Sequence, residues 1–204
     1  MPRKNHPPAS RPFALNTLAI TAITLMGLLA GGYILYTLVF EQRGTGEPPL
    51  PPPRLPAATE TSAAGTFDYS GSVASLDGAE TAMSAFQGKV VFLNFWASWC
   101  PPCIVELPSI QRLHAAMGGS GDFAFLMVTT ESAGRIRPFL AERGYDFPVY
   151  IADNRLLNAF QVSAYPATFV LDRSGRIVFK HMGAAKWDDA GFRAFLEQLA
   201  RNPV

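Results

Sequence analysis

Two cysteines that flank a pair of prolines constrain this chain more than any other feature. Cys100 and Cys103 are its only cysteines, so a disulfide within one chain must join them. They follow the apolar run 90–95 and precede a segment with the apolar spacing of a helix. A loop this short adds little stability, whereas a helix N-terminus stabilises a thiolate. The pair therefore indicates a redox site, and an inert or metal-bound pair is the alternative.

Composition limits the classes of protein that fit. The chain has 204 residues, is 49% hydrophobic and carries a formal charge of +1. It has room for one domain with appendages, and it is too apolar to be disordered as a whole. The sequence contains no basic face that would indicate binding to nucleic acid. The three histidines and two cysteines are too few for a self-contained structural zinc site. We expect no metal and no cofactor, because the dithiol itself carries the electrons.

The first forty residues predict a membrane anchor. Residues 1–13 contain Arg3, Lys4 and Arg11 and no acidic residue, and residues 14–40 are almost wholly apolar. As a helix this run is about 40 Å long, enough to cross a bilayer with some tilt. A cleaved signal peptide is the alternative, but its apolar region is shorter and ends in small residues. The positive-inside rule keeps the N-terminus in the cytoplasm and sends the rest to the periplasm or outside the cell.

Residues 41–65 are predicted to be a linker. Six prolines lie between Pro48 and Pro56, followed by small and polar residues. This composition cannot bury a core and favours an extended polyproline II spacer.

Residues 66–204 read as one α/β domain. The predicted strands are residues 67–73, 89–96, 123–129, 147–151, 167–171 and 176–181. The predicted helices begin near Cys100, Ser132, Asp153 or Asn154, and Asp188 or Asp189. A short turn and a helix-like connection are expected over 76–88. This alternation predicts a sheet of mixed direction with helices on both faces.

Four motifs give the chain a family resemblance over residues 66–200. They are residues 94–103 (NFWASWCPPC), 106–108 (ELP), 165–168 (YPAT) and the hairpin 172–175 (DRSG). With them the chain resembles the thioredoxin superfamily, and within it the membrane-anchored TlpA/ResA-like branch of thiol:disulfide oxidoreductases. The resemblance implies a thioredoxin-like fold, here preceded by one transmembrane helix.

The order of the two cysteines assigns their roles. Cys100 is the expected nucleophile and should be exposed, and Cys103 is the resolving thiol and should be more buried. Pro101 and Pro102 have no backbone N–H, so the Cys103 amide is the nearest remaining helix donor to the Cys100 sulfur. Weaker thiolate stabilisation makes a couple more reducing. We therefore expect a reductant rather than an oxidase.

Glu106 lies one helical turn beyond Cys103, on the same side of the helix. A carboxylate there can exchange a proton with Cys103, and burial would raise its pKa. The resemblance supports this role, because the branch has a Glu in the same motif position. Ordinary thioredoxins have a buried Asp in the strand before the motif, where this chain has Asn94. An exposed Glu106 in contact with solvent is the alternative.

The resemblance also implies a substrate-binding surface. Pro166 matches the family's cis-proline, and Tyr165 before it would face an extended substrate. Trp99 should cover the active-site surface, and Pro101 and Pro102 complete the predicted substrate-binding set.

These expectations define a membrane-anchored reductant of disulfides in proteins. The resemblance implies cytochrome c maturation or copper-oxidase assembly, with apocytochrome c or a copper-site assembly protein as partner. A membrane electron donor would re-reduce the dithiol, and the apolar helix would contact lipid. A disulfide oxidase or isomerase is one alternative. A copper-binding assembly chaperone that uses the cysteines and a histidine is another.

Overall fold

The computed structural model describes residues 17–41, 49–56 and 64–202. These residues belong to two compact units, one ending at Glu47 and the other beginning at Pro48. The predicted cytoplasmic residues 1–13 lie outside the described ranges.

The first unit contains helix α1, Thr17–Glu41. Its window Ile20–Thr37 has a mean hydropathy of 1.6, and none of that window is buried within the protein. Among the described residues this is the one helix long and apolar enough to cross a membrane. A signal sequence near an N-terminus has the same properties, so length and hydropathy fit both readings of this segment.

The described part of the second unit forms one eight-stranded sheet. Its strands are β1 Ala64–Thr66, β2 Ser72–Ser75, β3 Glu80–Ala82, β4 Val90–Phe95, β5 Phe123–Thr129, β6 Val149–Ile151, β7 Ala167–Leu171 and β8 Arg176–Met182. The order across the sheet is β1-β8-β7-β4-β5-β6-β2-β3. Its helices are α2 Pro101–Met117, α3 Ala133–Arg143, α4 Asn154–Ala159 and α5 Ala190–Arg201. The predicted mixed sheet is confirmed, since β4 is parallel to β5 and antiparallel to β7.

Strand β4 lies in the middle of the sheet and leads to the cysteines. All six of its residues are buried, as an uninterrupted apolar run predicts for a central strand. Side chains alternate between the two faces of a strand. Phe92 belongs to one core cluster, while Leu93 and Phe95 belong to the other. Asn94 therefore lies on the same face of β4 as Phe92. The core cluster on that face also contains Cys103.

The edge of the sheet differs from the prediction. A strand over 67–73 is wrong, because β1 ends at Thr66 and β2 begins at Ser72. Between them the Asp68 carboxylate accepts hydrogen bonds from the amide and the hydroxyl of Ser70, which replaces strand pairing with a local turn. Strand β3 was not predicted from the sequence. The predicted helix-like connection is a 3₁₀ turn, Met83–Phe86.

Helix starts follow the sequence signals closely. Of the two candidates predicted for each helix, Asp153 caps α4 and Asp189 caps α5 with their carboxylates. Ser132 occupies the cap position of α3, but its hydroxyl makes no capping bond. Its carbonyl instead accepts from the amides of Arg135 and Ile136.

Part of the predicted linker packs on the domain. The amide of Lys186 donates to the carbonyl of Pro51 at 2.9 Å, and Pro53 is buried. Pro51 thus contacts the segment that precedes α5.

Candidate active site

The two cysteines form a disulfide at the start of α2. Cys100 is the cap residue, and its Sγ accepts from the amide of Cys103 at 3.3 Å. Cys103 is wholly buried, as expected, but Cys100 is only 5% exposed. The prediction of an exposed Cys100 is therefore wrong for the disulfide form. Its neighbours Trp99, Pro101 and Pro102 take the surface position instead.

Because of the two prolines, a single backbone N–H at the start of α2 donates a hydrogen bond to the Cys100 sulfur. Pro101 and Pro102 are the first two residues of α2, and neither has a backbone N–H to offer. The hydrogen bond from Cys103 to Cys100 Sγ matches the sequence expectation for this donor.

Glu106 is a wholly buried carboxyl one turn beyond Cys103. Its Oε2 accepts from Trp187 Nε1 at 2.8 Å and from the Ala185 amide at 3.2 Å. Its Oε1 accepts from Asn94 Nδ2 at 2.9 Å. Burial raises the pKa of Glu106 to about 7, against the lowering effect of these hydrogen bonds. The structure confirms the predicted burial of Glu106, and burial raises the pKa of its carboxyl as expected. The alternative of an exposed Glu106 is wrong.

Asn94 connects Glu106 to the neighbouring strand. Its Nδ2 also donates to Thr168 Oγ1 on β7 at 2.8 Å. Its Oδ1 is buried and has no hydrogen-bond partner in the part of the chain that the structure describes. An amide carries a donor and an acceptor on one carbon, so Asn94 can bond to Glu106 in either protonation state by turning over.

Residues 185–187, which precede α5 in the sequence, pack against Glu106 and Ser109 of α2. The Ala185 amide donates to Glu106, the Lys186 amide to Pro51, and the Trp187 amide to Ser109 Oγ at 3.1 Å. Sequence reasoning did not single out Trp187. The only local signal was a tryptophan just before a predicted helix, which says nothing about a partner on α2.

An apolar groove of about 500 Å³ opens beside the disulfide. It is lined by Trp99, Cys100, Pro101, Pro102, Val162, Ser163, Ala164 and Tyr165. Trp99 is 61% exposed, and its ring centre lies 6.0 Å from that of Tyr165. The Tyr165–Pro166 bond is cis, as predicted. Pro166 itself is buried and its carbonyl accepts from the Gly183 amide, so four of the five predicted binding residues line the groove.

A carboxylate fixes the loop before the cysteines. Glu131 accepts from the amide of Ser98 at 2.6 Å and from its hydroxyl at 2.8 Å. Arg135 pairs with the same carboxylate at 2.7 Å. This contact was also missed from the sequence, because Glu131 and Ser98 lie on different connections.

His181 lies next to Trp187, which contacts Glu106. Its ring packs on Trp187 at 5.5 Å between ring centres, and burial lowers its pKa from the ordinary value. Among the described residues, no three His, Cys, Asp or Glu side chains come together as a candidate metal site.

A disulfide at a helix start, beside a cis-proline and on a mixed sheet, defines the class of thiol–disulfide oxidoreductases with a thioredoxin fold. Comparison with known proteins agrees. The Redoxin family model matches residues 54–196, so the chain belongs to the Redoxin family. This match, together with the relatives described next, confirms the predicted ResA-like resemblance, the thioredoxin-like fold and the enzyme class.

Individual relatives carry the same class of name. The chain is 32% identical to the thiol-disulfide oxidoreductase ResA of Geobacillus kaustophilus over 77% of this chain and 82% of that protein. It is 37% identical to a thiol:disulfide interchange protein DsbE homolog of Paracoccus denitrificans, over 56% of this chain and 62% of that one. The crystal structure of a thiol:disulfide interchange protein from Chlorobium tepidum has a TM-score of 0.57 and 26% identity, covering 66% of this chain and 96% of that one.

Proposed function

We propose that this protein is a membrane-anchored reductant of disulfides in other proteins. The observation that carries the proposal is the Cys100–Cys103 disulfide, with two prolines on its outer side and Glu106 behind it. The prolines withhold two donors from the Cys100 sulfur, so its thiolate is weakly stabilised. Weak stabilisation of the reduced form favours giving electrons away.

The reaction proceeds through a mixed disulfide. The Cys100 thiolate attacks one sulfur of the substrate disulfide, forms a bond to it and releases the other substrate sulfur as a thiolate. The Cys103 thiolate then attacks Cys100 Sγ, which closes the disulfide seen here and releases the second substrate thiolate. Two electrons pass to the substrate, and the released thiolates take up protons.

Glu106 handles the proton of the resolving step. A thiol must lose its proton before it attacks, and Cys103 is wholly buried, away from bulk water. A carboxyl whose pKa is about 7 accepts and returns a proton near neutral pH with little cost in either direction. Asn94 accompanies this change, since its amide offers a donor to the carboxylate and an acceptor to the carboxylic acid.

The groove supplies the recognition surface. Trp99 and Tyr165 present aromatic rings beside the disulfide, and aromatic side chains give large contact area in binding sites. An extended substrate segment laid along Tyr165–Pro166 would place its cysteine sulfur at Cys100. The proposed substrate-binding set is therefore Trp99, Pro101, Pro102 and Tyr165, with Pro166 as their support.

Helix α1 is the proposed anchor. Its length and hydropathy suit a single bilayer crossing, and the basic residues before it favour a cytoplasmic N-terminus. The catalytic domain then faces the periplasm or the outside of the cell. The chain needs no cofactor for this exchange, and a membrane protein with its own dithiol would re-reduce it.

Cytochrome c maturation is the proposed pathway, on the family resemblance, with copper-oxidase assembly as the related target. The haem-attachment motif of an apocytochrome c is Cys-x-x-Cys-His, which forms a small disulfide that must be reduced before haem is attached. Such a loop is short and exposed, which fits a shallow groove beside a shielded sulfur.

A trapping experiment tests this function. The full chain in detergent, reduced and freed of reductant, is mixed with an oxidised Cys-x-x-Cys-His peptide. The wild type should reduce the peptide, and Cys103→Ser should accumulate a covalent peptide adduct that Cys100→Ser does not form. If the peptide stays oxidised, and the oxidised wild type instead oxidises the dithiol peptide, the protein is an oxidase and the proposal fails.

A further inference from the structure

Trp187 is a wholly buried tryptophan that contacts the carboxyl of Glu106 from outside α2. We propose that Trp187 is a positioning residue that sets the proton affinity of Glu106 by donating its indole N–H to Oε2. The inference rests on the proposed role of Glu106 as the proton carrier. Nothing in the motif around the cysteines contains this residue, which lies 81 positions beyond Glu106.

Trp187 is held through both its side chain and its backbone. Its indole N–H donates to Glu106, and its backbone amide donates to Ser109 Oγ at 3.1 Å, one turn beyond Glu106 on α2. The Ala185 amide donates to the same carboxylate oxygen as the indole. Segment 185–187 is thus tied to α2 through Glu106 and Ser109, and the indole N–H cannot turn away without breaking several bonds.

Aromatic rings hold the indole from the other sides. Its ring centre lies 5.4 Å from Phe92 and 5.1 Å from Phe192, in edge-to-face contacts. Phenylalanine would fill most of this space but has no N–H. Among the bulky aromatic residues tryptophan alone is a donor without an acceptor, so it favours a charged carboxylate over the neutral acid.

The direction of the effect follows from that preference. A hydrogen bond to a charged acceptor is stronger than one to a neutral acceptor, so the Trp187 donor stabilises the carboxylate more than the acid. It opposes the burial that raises the pKa of Glu106. Without it the proton would bind more tightly, and the carboxyl would stay protonated at neutral pH.

Trp96 is a natural control within the same core cluster. It is as fully buried as Trp187 and packs on Phe139 and Phe147. Its Nε1, however, has no hydrogen-bond partner among the described residues. Replacing either tryptophan with phenylalanine removes the same atoms, but only Trp187→Phe removes a donor from Glu106.

Several ionisable groups lie near Trp187 and Glu106, and their titration must be distinguished from that of Glu106. Helix α2 brings Cys100 and Cys103, which do not titrate as a disulfide. Strand β8 brings His181, which packs on the Trp187 ring and has its pKa lowered by burial.

The remaining neighbours are ion-paired or uncharged. Asp188, just after Trp187, is paired with Arg112 of α2 at 2.6 Å. Strands β4 and β7 face the carboxyl with Asn94 and Thr168, neither of which is charged. His181 is therefore the group that most needs a control.

The first test uses the unaltered full chain in detergent micelles, as the disulfide form, labelled with ¹⁵N in tryptophan. The chain has three tryptophans, so three indole N–H signals are expected. One should move with pH around a midpoint near 7, keep that movement in His181→Gln, and lose it in Glu106→Gln. If no indole signal follows the titration of Glu106, the proposal is wrong. This test needs no variant of Trp187 to fold.

The second test measures the carboxyl directly. Chains labelled with ¹³C at the glutamate carboxyl are titrated, and the Glu106 signal is the one missing from Glu106→Gln. Trp187→Phe should raise its midpoint by about one pH unit, while Trp96→Phe should leave it in place. An equal shift in both variants, or none in Trp187→Phe, overturns the inference. Neither titration uses a substrate, so failure of peptide reduction would count against the proposed function and not against Trp187.

Discussion

The outer and inner sides of the disulfide are built from opposite materials. The outer side is an open groove of Trp99, Tyr165 and two prolines, rich in exposed apolar surface. The inner side is a closed polar pocket in which Glu106 accepts three hydrogen bonds and is wholly buried. The outer side suits contact with another protein, and the inner side suits storage of a proton. In the proposed function, recognition and proton transfer are thus separated across a single pair of sulfurs.

The two sides also differ in how the chain assembles them. The outer side comes from two short stretches, 99–102 and 162–165. The inner side combines single residues from β4, α2, β7 and the segment before α5, so it exists only when the whole sheet is formed. Changes on the outer side should therefore alter substrate affinity, while changes on the inner side should alter pH dependence and stability.

The largest expected effect is loss of the shared nucleophile. Cys100→Ser leaves both sides intact but removes the sulfur between them, so peptide reduction should fall to the uncatalysed background. Stopped-flow assay of the full chain measures this. Residual turnover above that background would mean that Cys103 can act as an alternative nucleophile.

Glu106→Gln should act on the inner side alone. Without a proton acceptor for Cys103, the resolving step should slow about 10²-fold, while attack by Cys100 keeps its rate. The inflection of the resolving rate near pH 7 should disappear. Glu197→Gln, an exposed carboxylate of α5, is the control. Equal slowing of both steps would show that Glu106 has a general structural role instead.

The inner side should also make stability depend on pH. The pKa of Glu106 rises from an ordinary 4.5 to about 7 on folding, so between these values the folded state binds more protons. The stabilisation by that proton is complete below pH 4.5 and is lost as pH rises through 7, by about 3 kcal/mol.

Denaturant unfolding of the disulfide form measures this dependence. The wild type should lose stability over that window, and Glu106→Gln should lose correspondingly less. Parallel stability curves for the two proteins would contradict the assignment of the pH effect to Glu106.

Trp99→Ala should act on the outer side, with the smallest effect. Because the side chain is 61% exposed, stability should hardly change, but KM for the peptide should rise about 10-fold, as for a modest binding contact. The inflection near pH 7 should remain. Leu55→Ala removes another exposed apolar side chain and should leave KM unchanged. A shifted pH profile in Trp99→Ala would show that the two sides are coupled.

The sequence predicted what is local and strongly patterned. The buried run over 90–95, the helix start at Pro101 and the carboxylate one turn past Cys103 each follow from spacing within a few residues. Capping carboxylates at Asp153 and Asp189 are equally local. The structure confirms all of these features, each of which depends on residues close together in the sequence.

What the sequence could not predict depends on contacts between distant residues. Trp187 became part of the site only because β8 and the following segment bring it to α2. Strand β3 is three residues long and exists through pairing with β2, with too short a pattern of its own. Cys100 is buried because it belongs to the core cluster that contains Trp96 and Leu107, and alternation along the chain cannot show that.

The reduction potential of the Cys100–Cys103 couple at pH 7 tests the central claim most directly. The full chain in detergent is equilibrated in dithiothreitol and glutathione buffers, and the dithiol fraction is counted by thiol alkylation. The account predicts a value near that of thioredoxin, about −270 mV. A value near that of a strong oxidant, about −120 mV, would contradict it and make this protein a donor of disulfides.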